Sequence, residues 1–327
     1  MNKNIEKDSR LEILKKLEVN NCNIFSDFLS AVFNLSPFQV KLSSRMINEF
    51  DDLYILFSES LIDKELQVHK DKDINYLAQS YVDYVKSIRK EEFYFAKNKK
   101  YRLSTYDEAY SAVYSKNDYM IDYMTGLALT LIMWPNHWRL VEFFLKTLKT
   151  LNEEKTITKI LEIGVGHGVF HTEALKIFKS SKSIAYDVSS SSLNTTRKML
   201  EVSGLDASRT TFFQGDIRKD LNIKDNSVDL LIMGEVIEHI DNVKEVLLKL
   251  SSKVKPDGCF YMTTAINSPA EDHILLFTTV EEVRSLLKDC GWNLLKENIL
   301  TINNMGLKES ESGGHSINYA ALYEPQK

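Results

Sequence analysis

Lys159-Ile-Leu-Glu-Ile-Gly-Val-Gly-His-Gly-Val-Phe170 decides the fold of this chain. Ile160, Leu161, Glu162 and Ile163 form a short, mainly apolar and β-branched run that reads as a buried parallel strand. The run enters a turn holding Gly164, Gly166 and Gly168, and Phe170 to Phe178 then reads as a helix. Glycines between a strand and a helix let a ligand approach bare backbone at the positive end of the helix. A nucleotide-like ligand is the first expectation.

Spacing narrows the ligand. A dinucleotide fingerprint places its third glycine where Val169 stands, whereas here it comes one residue early, at Gly168. The Gly-Lys-Ser/Thr ending of a phosphate-cradling loop is missing as well. Downstream, Ser183-Ile-Ala-Tyr-Asp187 reads as a strand ending in an acid, placed where a carboxylate accepts both hydroxyls of a ribose. Thr210-Thr-Phe-Phe-Gln-Gly-Asp216 repeats that pattern. Ser227-Val-Asp-Leu-Leu-Ile-Met-Gly234 and Gly258-Cys-Phe-Tyr-Met-Thr-Thr264 add a fourth and a fifth strand. A helical segment lies between those two, apolar at Val243, Val246, Leu247 and Leu250. Strands alternating with helices predict a parallel sheet covered on both faces, with ligands at the C-terminal ends of its strands.

Gly-x-Gly-x-Gly after an acidic strand, followed by acids in this order, resembles class I S-adenosylmethionine-dependent methyltransferases over roughly residues 130–327. The resemblance implies an α/β fold, a Rossmann-like seven-stranded methyltransferase sheet whose last strand is antiparallel. It makes S-adenosylmethionine the cofactor. Glu162 would help to hold its methionine end, Gly164, Gly166 and Gly168 would let it approach, and Asp187 and Asp216 would fix ribose and adenine, with Ile217 and Gly234 beside them. An acceptor-only carboxylate at Asp216 suits the adenine amino group.

At 327 residues the chain exceeds one typical domain. We expect a helical, substrate-covering or interaction domain over 1–125 and the cofactor-binding domain over 126–327. Apolar residues between Phe25 and Leu61 recur mostly at three- and four-residue spacing, which predicts a helical bundle. Ser36-Pro37 is expected to open one helix and Thr105-x-x-Glu108 to cap another. Tyrosines crowd at 101, 106, 110, 114, 119 and 123, as interface packing or as a substrate wall. Pro135 ends one apolar helix, and a second begins near Asn136 with Leu140, Val141, Phe143, Phe144, Leu148 and Leu151 on one stripe. Trp134-Pro-Asn-His-Trp138 reads as a hinge, with Trp134, Asn136 and His137 either structural or near the ligands.

The net charge is −5 and the pI about 5.9, which disfavours a broad nucleic-acid footprint. Cys22, Cys259 and Cys290 form no CxxC pair, and the charged start carries no signal sequence, so a reduced cytoplasmic protein is expected. The longest apolar run, residues 126–134, is too short to cross a bilayer, and no membrane partner is expected. An oligomer stays open.

Gly234-Glu-Val-Ile-Glu-His-Ile240 holds the densest polar cluster. A helical turn starting at Glu235 would put Glu238 and His239 on one face with it, beside the reacting methyl group. His239 would then serve as general base with Glu238, or orient the loop, as in the similar segment of metal-free ubiquinone-type O-methyltransferases. A second resemblance, to small-RNA 3′-terminal 2′-O-methyltransferases, implies a different use. There a Glu-x-x-Glu-His segment and a later histidine bind one divalent ion, and Glu271-Asp-His-Ile-Leu-Leu-Phe277 stands in the corresponding place here. By that resemblance Glu235, Glu238, His239 and His273 would hold Mg²⁺, Mn²⁺ or Fe²⁺ to activate an acceptor hydroxyl. The match departs around them: Leu275-Leu-Phe277 replaces Phe-Glu-Trp, and no basic cluster for a nucleotide end is evident. Thr279-x-x-Glu282 predicts the cap of the next helix, and Trp292–Thr301 with His315–Tyr323 the last two strands, joined by a flexible Gly313-Gly314 link.

The expected activity is methyl transfer from S-adenosylmethionine to an O or N nucleophile of a small molecule, with or without a divalent metal. The competing readings are an RNA-terminal 2′-O-methyltransferase and a non-catalytic methyltransferase-like binding module.

Overall fold

The computed structural model describes residues 3–219 and 221–326, with the backbone alone for residues 3–9 and 19. The chain forms two compact units, one of Met1–Lys86 with Asp122–Trp138, the other of Ser87–Ile121 with Arg139–Lys327. The expected division at 125/126 falls inside a helix. The segment carrying Tyr101, Tyr106, Tyr110, Tyr114 and Tyr119 groups with the sheet.

No strand occurs among the described residues before β1. The helices are α1 (Lys3–Val19), α2 (Asn23–Leu35), α3 (Gln39–Glu49), α4 (Asp52–Val68), α5 (Ile74–Asn98), α6 (Tyr106–Ala109), α7 (Asn117–Met133) and α8 (Pro135–Glu154). Asp51 starts α4 by accepting the Tyr54 amide, a side-chain cap for one of the orphan donors of a helix start. The Glu59 carboxylate accepts the amides of Ile24 and Phe25 at 3.1 and 2.7 Å and so closes the start of α2 from outside. Tyr54 centres the helical core: its ring packs on Phe25, Phe50 and Trp138, and its hydroxyl donates to the Ile132 carbonyl at 2.7 Å. One expected helix start moves. Ser36 ends α2, its amide bonded to the Val32 carbonyl, and α3 begins only at Gln39.

The second unit holds β1 (Lys159–Ile163), α9 (Val169–Ile177), β2 (Lys182–Asp187), α10 (Ser190–Val202), β3 (Thr210–Gln214), β4 (Val228–Gly234), α11 (Val243–Lys253), β5 (Val254–Ile266), α12 (Val280–Asp289), β6 (Trp292–Thr301), α13 (Leu307–Gly313) and β7 (Ile317–Pro325). The seven strands run in the order β3-β2-β1-β4-β5-β7-β6. The first five are parallel, and β7 is antiparallel to both β5 and β6. This is the Rossmann-like sheet the sequence predicts, and the described residues that precede it in the chain are helical. Every residue from Val228 to Met233 is buried, as a central strand covered on both faces requires. Leu231, Met233, Phe260 and Met262 pack with Val246, Leu247 and Leu250 of α11. On α8, Phe144 packs on Phe170 and Tyr261 with ring centroids 4.7 and 4.9 Å apart. Both capping boxes, Thr105 with Glu108 and Thr279 with Glu282, form as read.

One feature positions the site. Successive parallel strands leave β1 in opposite directions, towards β2 on one side and β4 on the other, so the crevice for ligands opens beyond the ends of β1 and β4. The link before β7 is not a flexible turn: it folds into α13, closed by Gly314 in the left-handed region at φ 64°. Among the described residues no helix is long and apolar enough to cross a membrane.

Candidate active site

The turn after β1 needs its glycines. Gly164, Gly166 and Gly168 have φ of 71°, 49° and 75°, a region that residues with a Cβ avoid. Space is short too: a Cβ on Gly168 would lie 2.7 Å from Thr196 Cα, and one on Gly164 would lie 2.6 Å from Val236 Cγ2. Asp187, at the end of β2, faces this turn. Its Oδ2 accepts the Gly166 amide at 3.1 Å and its Oδ1 the Ser189 amide at 2.8 Å. Burial pushes its pKa up to about 6 in spite of those two amides. Each oxygen keeps lone-pair capacity for a further donor.

The other expected cofactor residues have protein partners. Glu162 is fully buried with Oε2 3.0 Å from His171 Nδ1; His171 Nε2 lies 2.9 Å from Ser183 Oγ, itself 2.8 Å from Thr210 Oγ1. That relay ties β1, α9, β2 and β3 together. Burial raises the pKa of Glu162, opposed by His171. Asp216, just beyond β3, receives Arg218 Nε at 3.1 Å and Nη2 at 2.9 Å. Burial works against its charge, but the Arg218 hydrogen bonds prevail and hold the carboxyl below its ordinary range. Arg218 also pairs with Asp241 and lies 3.7 Å from the centroid of the Tyr106 ring. Ile217 is buried in the same cluster as Tyr186, and Gly234 ends β4 against Phe170.

The loop after β4 departs from the expected helical turn. Glu235 stands at φ 51°, outside any right-handed helix, and only Ile237–His239 form a single 3₁₀ turn. Glu235 therefore does not share a helix face with Glu238 and His239. Its amide donates to the Thr263 carbonyl and hydroxyl at 3.1 and 3.0 Å, while its Oε1 is buried without a hydrogen bond. Glu238 is fully buried, accepting the Thr264 hydroxyl at 2.8 Å and the Ala265 amide at 3.2 Å. Burial, then the neighbouring Glu235 charge, push the Glu238 carboxyl well above its ordinary pKa.

The imidazoles are anchored on one edge. His239 Nδ1 lies 3.0 Å from the Asp272 carbonyl and 3.0 Å from the Tyr114 hydroxyl, which donates to Asp272 Oδ2 at 3.0 Å. His273 Nδ1 lies 2.7 Å from the Ser268 carbonyl. Carbonyl oxygens only accept, so both rings carry a proton on Nδ1, which leaves Nε2 as the atom each ring can offer a ligand. Burial, then the neighbouring His239, push His273 down to a pKa of about 4 and keep it neutral. The rings stand 4.8 Å apart at 81°, and Glu238, His239 and His273 each offer a ligand atom within 4.8 Å of the others. Glu235, the remaining expected ligand, is not in that set.

The tyrosine-rich segment supplies what the sequence reading did not assign. Tyr101 donates to the Ser268 carbonyl at 3.1 Å and packs edge-on to His273, and Tyr119 donates to Glu271. Tyr114 reaches His239 from a π-helical turn, Tyr110–Tyr114. The density of tyrosines was visible; the extra residue in that turn, which decides which one faces His239, carries no periodic signal. Trp134 and His137 bond inside the helical unit, to the Tyr81 and Thr130 hydroxyls at 3.2 and 2.7 Å.

Residues 161–260 match a family model described as a methyltransferase domain. A ubiquinone biosynthesis O-methyltransferase of Rickettsia prowazekii is 28% identical over 130 residues, 39% of this chain and 48% of that protein. A malonyl-[acyl-carrier protein] O-methyltransferase of Halalkalibacterium halodurans is 32% identical over 110 residues, 32% of this chain and 38% of that protein. The chain thus spans about half, or less, of the length of these curated relatives. Among solved structures, the complex of Haemonchus contortus phosphoethanolamine N-methyltransferase 2 with S-adenosyl-L-methionine aligns with a TM-score of 0.49 and 14% identity, over 69% of this chain and 61% of that one.

Proposed function

We propose that this chain, which carries a class I S-adenosylmethionine-dependent methyltransferase domain, transfers a methyl group to an oxygen or nitrogen of a small-molecule acceptor. The observation that carries the reading is the Asp187 carboxylate held against the Gly164–Gly168 turn at the point where the strand order reverses. When bound, S-adenosylmethionine supplies an electrophilic methyl group. Asp187 receives ribose hydroxyls, and Asp216, kept ionised by Arg218, receives the adenine amine. The glycines leave the backbone bare for approach, with Ile217 and Gly234 beside them.

The acceptor side is the Glu238, His239 and His273 cluster. Its three side chains suit one divalent ion: the buried Glu238 carboxyl and the His239 and His273 imidazoles, whose Nδ1 atoms are each held by a backbone carbonyl; Glu235 stands outside that group, its Oε1 buried without a hydrogen bond. An ion there would lower the pKa of an acceptor hydroxyl. Tyr114 and Asp272 would orient His239 as its outer supports. Dialysed protein is expected to take up Mn²⁺ or Co²⁺ in a ratio near one per chain, and His273→Ala to lower that affinity by about 10–100-fold or more. Uptake by neither protein would remove the metal and leave His239 as general base.

The small-molecule reading is supported by the side chains that contact the two imidazoles, which include Asp272, Tyr101 and Tyr114. Arg218, the cation near the adenine acid, is already engaged by Asp216, Asp241 and Asp107. An RNA end would need free cations for its phosphates. The names of the two curated relatives support an O-methyltransferase, and three free, buried cysteines suit a reducing compartment. Incubation of the protein with methyl-tritiated S-adenosylmethionine and cell extract tests the class of acceptor. Label is expected in the low-molecular-mass fraction; label in RNA would favour the RNA-terminal reading, and none in any fraction the binding module.

A further inference from the structure

We propose that the Tyr106 hydroxyl is a binding group for the nucleoside half of S-adenosylmethionine, donating a hydrogen bond to an acceptor atom of the ribose or adenine. The inference rests on the cofactor reading above and adds a residue from outside the sheet to that pocket.

Tyr106 is held firmly at its backbone and ring. The Thr105–Glu108 capping box starts the turn that carries it, and its amide points to Asp241 Oδ2 at 3.4 Å. The Arg218 guanidinium lies 3.7 Å from the ring centroid, and Tyr110 stacks at 6.1 Å and 26°. Arg218 is the residue clamped on Asp216, so the ring belongs to the adenine end of the crevice.

The hydroxyl, by contrast, is left without a partner among the described residues. Tyr106 is 8% exposed, and its oxygen is buried. Tyr101, Tyr114 and Tyr119 of the same segment all place theirs on named acceptors. A buried phenol left unpaired is unfavourable, and such groups mark a missing partner. Burial, then the charge of Asp216, keep this phenol protonated, with Asp187 acting the same way more weakly. It is therefore a group able to donate, in a pocket whose expected ligand contacts, Asp187 and Asp216, only accept. A nucleoside needs both kinds of group: its hydroxyls and amine donate, and its ring nitrogens and ether oxygen accept.

Tyr106→Phe removes one oxygen and keeps the ring, the stack and the Arg218 contact. Calorimetric titration is run with S-adenosylhomocysteine and with 5′-methylthioadenosine, which lacks the amino-acid end, alongside thermal unfolding without ligand. Expected are roughly ten-fold weaker binding of both compounds and an unliganded melting temperature unchanged or higher. Unchanged affinities would overturn the proposal, as would a loss confined to S-adenosylhomocysteine, which puts the partner on the amino-acid half. A lower melting temperature without ligand would also overturn it, since the hydroxyl would then have a partner within the protein. Failure of the wild-type protein to bind either compound would instead remove the cofactor reading itself, and this proposal with it.

Discussion

Gly168→Val is expected to destabilise the folded chain by about 3–5 kcal/mol, in the range of severe backbone and packing defects. Two effects add. The residue sits at φ 75°, where a non-glycine costs roughly 1–2 kcal/mol and a β-branched one more. The new Cβ would also lie 2.7 Å from Thr196 Cα, a backbone atom of α10 that cannot rotate aside. Gly204 separates the two: its φ is 69° but nothing lies within 4 Å of a Cβ there. Urea unfolding of Gly204→Val should therefore show the conformational part alone. Equal losses at the two positions would mean that α10 yields, and that Gly168 is kept for ligand approach only.

Asp187→Ala is expected to weaken S-adenosylhomocysteine binding by about 1–3 kcal/mol, the worth of charged hydrogen bonds, or roughly 5- to 150-fold. The wild-type protein should also bind more weakly in acid. Burial raises this carboxyl to about 6, and the ionised form is the one that accepts both ribose hydroxyls. Affinity should thus fall as the pH drops from 7.5 through about 6 to 5. Stability has the opposite sign: a carboxyl raised on folding contributes stability below its unfolded pKa, and loses it as the pH rises through about 6. The unliganded wild type should therefore lose stability between about pH 4 and 6 relative to Asp187→Ala. Identical binding at pH 5 and 7.5 would place the ribose elsewhere.

The sheet was legible because its signals are local. Apolar runs such as Ile160–Ile163 and Leu230–Met233 admit few other uses, and glycines and acids mark their ends. What escaped depends on backbone angles or on residues far apart in sequence. The left-handed Glu235 lies in no residue pattern, since a non-glycine at φ 51° is a property of the turn, where Thr263 holds its amide. The reading of Glu235, Glu238 and His239 as one helix face failed on that angle. Ser36-Pro37 has the residue types of a helix start, yet the Ser36 amide bonds to the Val32 carbonyl and ends α2 instead. The link before β7 looked flexible from its glycines, yet Leu307–Gly313 form a helix that Gly314 closes. Glu162 illustrates the long-range case. Its place in the strand was plain, but its engagement by His171 across the turn required the fold.

The most direct test of cofactor binding at the Gly164–Gly168 turn is calorimetric titration of the wild-type chain with S-adenosylhomocysteine, with NAD⁺ as the competing nucleotide. Saturable binding at one site per chain, on the order of micromolar in Kd and absent for NAD⁺, is the predicted result. No binding of S-adenosylhomocysteine at millimolar concentration, or binding of NAD⁺ in its place, would contradict it.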